Sequence, residues 1–199
     1  NWSPAYTQSG EAFKSPAPRP LAKVQVRLLS REPLQRAWIR SLRLHFVPPL
    51  VDTVFGEIFP VGGVEPGVDE LFTLYLRPIF GSDNPGFDEI VLRSTSSAPL
   101  ELDEVLVGGD DALRFGAGTR LWPGGGVQVE SGEEGAVIVR FRQPITRGGQ
   151  TYAFRFRTKV FLQSTVFSAQ LQSASRPGLS QEVVGGDATS VVATQSLAV

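Results

Sequence analysis

A chain with one His and no Cys has few routes to covalent chemistry. His45 is the only imidazole, so a Ser-His-Asp triad would have to use it. It falls at an outward position of an alternating run beside Arg43, and no G-x-S-x-G elbow occurs. Without Cys there is no disulfide, thiolate metal site or cysteine nucleophile. One His excludes a His-rich metal centre. Carboxylates stand side by side at Asp69-Glu70, Asp88-Glu89, Asp103-Glu104, Asp110-Asp111 and Glu133-Glu134. Neighbours on a strand point to opposite faces, so no such pair is itself a glycosidase acid/base dyad. Asp83, Asn84 and Asp88, with Asp110-Asp111 and Asp187, carry the hard oxygens that suit calcium, but their spacing fits no EF-hand loop. Gly124-Gly125-Gly126 and Gly148-Gly149 precede no helical pattern and read as turns rather than phosphate cradles. The expectation is a protein that is not an enzyme and carries no cofactor or metal.

Binding chemistry is better represented. Trp38, and Trp122 in the loop LWPGGG, are the candidate platforms for a carbohydrate, although a loop Trp also folds back over a sandwich end. The segment 137–159 is the densest constellation. With Gly148-Gly149 as a two-residue hairpin turn, Arg140 and Arg142 fall opposite Arg157 and Arg155. Four guanidinium groups on one face repel one another, so acids must neutralise them. Two sources are open. The chain's own LELDE run (100–104) can lie alongside, or an anionic partner can dock: an acidic protein surface or anionic lipid headgroups. The first 22 residues contribute Trp2, Tyr6 and Phe13, aromatics that are costly to leave in water. Arm and arginines together are the expected partner-binding residues.

The elements that would hold these groups are strands. Val24, Val26 and Leu28 alternate with Lys23, Gln25 and Arg27, and Leu42, Leu44 and Phe46 alternate with Ser41, Arg43 and His45. Further period-two runs are expected around 72–76, 90–92, 100–107, 127–129, 137–142, 151–162, 167–171 and 190–199. Turn signals such as GSDNPG (81–86), SSAP (96–99) and GGDD (108–111) separate them. No long amphipathic helix interrupts the pattern, which reads as an all-β, antiparallel β-sandwich of Ig-like or jelly-roll type, with a closed barrel as the alternative. Pro16, Pro18 and Pro20 make residues 1–22 an extended arm, leaving 23–199 as a single sandwich domain.

Charge is distributed in blocks although the whole chain carries only −1. Residues 1–49 hold eight basic and two acidic residues, 50–135 four and sixteen, and 136–199 seven and two. Near-neutrality argues against nucleic acid as a partner, and no apolar run approaches the roughly 18 residues that span a bilayer. The blocks pair within one fold or orient the molecule on a partner. The chain starts at Asn1 and contains no Met, so a segment has been removed, in processing or in the choice of segment. A cleaved secretory leader would account for this, and the expected location is the periplasm or the cell surface.

The stretches GFDEIVLRS (86–94), LELDEVLVGG (100–109), 137–171 and PGLSQEVVGGDATS (177–190) carry a resemblance. With the phrases F-L-x-x-T-x-F at 161–167 and Q-x-V-x-x-G-D-A at 181–188, the chain resembles a β-sandwich module of large bacterial cell-surface and secreted proteins, where such modules adjoin Ig-like domains. The likeness covers about residues 70–199 and excludes the first 50. It implies a structural or adhesive, extracytoplasmic role and no catalytic residue. The expected function is that of an accessory subunit docking on a larger, membrane-associated assembly of other protein subunits. The alternative is a carbohydrate-binding or adhesive module.

Overall fold

The computed structural model describes residues 3–11, 14, 23–30, 32, 34–161 and 164–199. Its strands are β1 (Thr53–Phe59), β2 (Asp69–Ile79), β3 (Phe87–Ser94), β4 (Glu101–Gly108), β5 (Thr119–Trp122), β6 (Val127–Ser131), β7 (Val137–Ile145), β8 (Thr151–Lys159), β9 (Phe167–Gln172), β10 (Ser180–Glu182) and β11 (Val184–Gly185). One short helix, α1 (Asp110–Arg114), follows β4. The strands form two sheets, ordered β11-β1-β2-β8-β4-β5 and β10-β9-β3-β7-β6. The fold is a β-sandwich, open rather than closed into a barrel. Every ladder is antiparallel except β1 with β11.

Alternation builds the core. β2 turns Phe72, Leu74 and Leu76 inward, β8 turns Tyr152, Phe154 and Phe156 inward, and β3, β7 and β9 meet them with Ile90, Leu92, Val139, Phe141, Phe167 and Leu171. Phe72, Phe156 and Phe167 form a mutual aromatic cluster with centroids 5.1–6.1 Å apart. Each such side chain contributes about 1.5–3 kcal/mol by leaving water.

The expected 137–159 hairpin does not form. β7 pairs β3 and β6, whereas β8 pairs β2 and β4, so residues 146–150 carry the chain from one sheet to the other. Both arrangements turn the same apolar faces inward, so alternation alone cannot separate them. The crossover places Phe141 and Tyr152 edge to face across the core, centroids 5.6 Å apart.

Four further expectations change. Residues 190–199 form no strand beyond one bridge, Val166 to Ala198. The turn at 108–111 opens into α1, and β8 ends at Lys159 rather than at 162. Most clearly, the runs at 23–28 and 41–46 are not strands. Among the described residues from 23 to 48 none lies in a strand and all are exposed. A period-two run becomes a strand only where it finds a ladder partner and a face to bury, and among the described residues no ladder partner pairs with these runs.

Candidate functional sites on the sandwich surface

The two outer sheet faces differ in what covers them. On the β1-β2-β8-β4 sheet the outward residues include Glu57, Tyr75, Leu106 and Ala153, and the C-terminal segment roofs part of that face. Ala188, Val191 and Val192 pack there with Phe55, Tyr75, Leu106, Ala153 and Leu113 of α1. Two carboxylates fasten this strap. Glu57, fully buried, accepts hydrogen bonds from the backbone N–H of Thr189 at 2.7 Å and of Gln195 at 3.0 Å. Asp110 accepts from the Ser190 N–H at 2.8 Å and from the Arg77 guanidinium at 2.6 Å. Burial pushes the Asp110 carboxyl up, but the Ser190 N–H and Arg77 outweigh it and hold it below the ordinary carboxylate range. Gly186 lies so close to Phe55 that a Cβ there would meet its ring at 2.6 Å. Burial pushes the Tyr152 phenol in the core up to about 12.

The arginines divide between the two outer faces. Arg140 and Arg142 lie outward on β7, Arg155 and Arg157 outward on β8, and the four never share a face. Three of them are neutralised within the chain. Arg140 bridges Glu89 at 2.6 Å and also meets Glu130. Arg155 pairs with Glu104 at 2.8 Å, and Glu104 holds Arg120 as well. Arg157 reaches Asp103 at 3.2 Å and Asp69 at 3.8 Å. The LELDE run does lie alongside β8, with Glu101 opposite Arg157 and Glu104 opposite Arg155. Arg142 is exposed and has no ion pair among the described residues.

The outer face of the β3-β7-β9 sheet is polar and uncovered by the strap. Gln170 donates to Glu182 at 2.7 Å and accepts from Gln172 at 3.0 Å. Two open depressions flank Glu89, one of about 580 Å³ reaching Gln128 and Arg142, the other of about 560 Å³ reaching Arg93 and Gln172. Neither is lined by an aromatic side chain that presents its ring outward. Phe141 touches the first from the core side. Sugar stacking, which needs such a ring, has no platform here.

The remaining candidates are placed as follows. Tyr6 is exposed, and its hydroxyl accepts from the Lys14 N–H at 2.7 Å while the Lys14 ammonium sits over its ring. Trp2 and Phe13 lie outside the described residues. Trp38 is 69% exposed with Arg40 stacked at 5.5 Å, whereas Trp122 is half-buried against the core. His45 is exposed and off any strand. Asn84 spends its amide within the turn, accepting from Gly81 N–H and donating to Pro49 O, and Asp88 accepts from the Ala174 N–H. Among the described residues no three His, Asp or Glu side chains converge on a metal-sized site, and no helix is long and apolar enough to cross a membrane. The buried Glu57 was invisible to sequence reasoning, because a lone acid in FGEIFP gives no sign that backbone donors 132 or more residues away will meet it.

The sequence matches no family model and no curated protein. Solved structures of similar fold include a DUF4466 family protein from Parabacteroides merdae, 10% identical over 66% of this chain and 42% of that one, with a TM-score of 0.44. The C-terminal domain of the Streptococcus pyogenes antigen I/II-family protein AspA is 17% identical over 66% of this chain and 44% of that one, TM-score 0.43. The collagen binding subdomain of the Enterococcus faecalis surface protein ACE is 10% identical over 69% of this chain and 95% of that one, TM-score 0.35. The chain spans less than half the length of the first two. At such scores the likeness bears on neither ligand nor partner.

Proposed function

We propose that the chain is a non-catalytic interaction module working outside the cytoplasm, an accessory subunit held to a larger assembly by the residues that precede its sandwich and by the sandwich surface. The observation that supports this reading is apolar exposure ahead of β1. Leu29 is 78% exposed, Leu34 98%, Trp38 69% and Leu42 54%. Soluble monomers seldom leave large apolar surface in water, and a partner surface would cover these side chains. The basic balance of residues 1–49 fits an acidic partner surface or anionic headgroups. The aromatics Trp2, Tyr6 and Phe13 of the same N-terminal stretch would add further anchors. The charged groups of the sandwich are largely committed to holding its own strands and strap, which suits a rigid scaffold better than a reaction centre.

A photoreactive residue at Ile39 tests the proposal. In the envelope fraction of cells making the full chain it should cross-link a second protein. The pair Leu42→Asp and Leu44→Asp should abolish that product. A cross-link that survives the pair, or no cross-link at all, defeats the reading.

A further inference from the structure

We infer that the occupant of the exposed N-terminal segment is a second copy of this chain, bound at the opposite end of its sandwich. The inference rests on the functional reading above and gives its partner a chemistry. Five large apolar side chains are exposed around one end of the sandwich: Phe59 at 50%, Val61 at 42%, Val68 at 44%, Leu71 at 39% and Phe161 at 52%. Pairing explains their convergence. Phe59 ends β1, Leu71 lies near the start of β2 opposite Arg157, and the Gly67 N–H donates to Val160 O at 2.8 Å, beside Phe161. Acids rim this patch: Glu65, Asp69 and Glu70 on the β1–β2 connection and the first residues of β2, Glu101 and Asp103 on β4. Arg157 is already shared between Asp69 and Asp103.

The segment 23–47 has the complementary character. Val24, Val26, Leu28, Leu42 and Leu44 are all 39–54% exposed. Arg27, Arg36, Arg40 and Arg43 accompany them, and Glu32 is the only acid between residues 23 and 49. Apolar surface rimmed by acids thus has, on the same chain, apolar surface rimmed by bases. The segment's point of attachment and the patch are at opposite ends. The segment joins the sandwich at Leu50, whose carbonyl accepts from the Gly86 N–H beside the start of β1, while the patch surrounds the end of β1. Seven strand residues, roughly 23 Å, separate them. Contact between different surfaces of identical chains is heterologous and runs head to tail, so copies would add end to end rather than close as a symmetric dimer.

Sedimentation velocity of the full chain tests this directly. Wild type should form species larger than a monomer as concentration rises, and salt should weaken them. The variant Arg40→Glu with Arg43→Glu, and separately Glu65→Lys with Glu70→Lys, should each associate at least about tenfold more weakly. An equimolar mixture of the two should recover association, because each reversed segment then meets a reversed patch. Phe161→Asp should weaken association with an unchanged melting temperature. A wild type that stays monomeric at every concentration, or a mixture that does not recover, overturns the inference. If the wild type stays monomeric while the Ile39 cross-link to a different protein persists, the inference fails alone and the accessory-subunit reading stands.

Discussion

At the residue scale the most consequential groups are two acids that fasten the C-terminal strap. Asp110 closes α1 onto the strap by accepting from Ser190 and Arg77. Its folded carboxyl titrates below the ordinary value of 3.8. A depressed acid contributes stability that is complete above its unfolded pKa and is lost as pH falls through the folded one. Asp110→Asn should therefore lower stability near neutrality by about 1–2 kcal/mol, the usual cost of a charge-assisted hydrogen bond replaced by a neutral one. It should also flatten the fall in stability below about pH 4. Urea unfolding between pH 2 and pH 7 measures both effects, and parallel curves for the two proteins would refute the assignment.

Strands and strap define the next scale. Residues 187–195 hold no ladder of their own, so they depend on Glu57 and on the small apolar cluster beneath Ala188. Truncating Glu57 strands the buried Thr189 N–H, for which an unsatisfied donor costs about 1–3 kcal/mol, and also removes the part-buried bond to the Gln195 N–H. Glu57→Ala should destabilise the protein by about 2–4 kcal/mol. Hydrogen exchange should report it locally, with the Thr189 and Gln195 amides losing protection far more than those of β2 or β8, which the core holds. Equal loss everywhere would mean that the strap unfolds only with the sandwich.

At the scale of the whole molecule, the sandwich buries its aromatic core between residues 50 and 199, and the exposed side chains of 23–48 add nothing to it. Leu42→Asp with Leu44→Asp should consequently leave the melting temperature of the monomer within about 1 °C of wild type, because exposed substitutions away from packed features are near neutral. Differential scanning calorimetry at low protein concentration checks this. A fall of several degrees would show that the segment packs on the sandwich after all. Charge behaves similarly at this scale. The acidic middle block is partly neutralised by the basic C-terminal flank, as Glu104 with Arg155 and Glu89 with Arg140 show, whereas within residues 1–49 Lys14 pairs locally, with Glu11.

The sequence by itself determined that the chain is all-β, and the tertiary structure decided for an open sandwich over a closed barrel. Alternation at 72–76, 137–142, 151–159 and 167–171 identifies which side chains face inward, and that holds whatever the strands pair with. Turns at 81–86 and 96–99 were equally readable from Gly, Pro, Asn and Ser. Tertiary structure alone decided which sheet each strand joins. β7 and β8 present the same apolar faces whether side by side or across the core, so the separation of Arg140 and Arg142 from Arg155 and Arg157 was not encoded locally. It also decided which alternating runs become strands. Val24 to Leu28 and Leu42 to Phe46 read as well as β9 does, but a strand needs a neighbour with free backbone groups, and pairing is a property of the chain's long-range contacts. Glu57 marks the same limit. Its burial follows from a strap more than 130 residues away, and no window of sequence contains both.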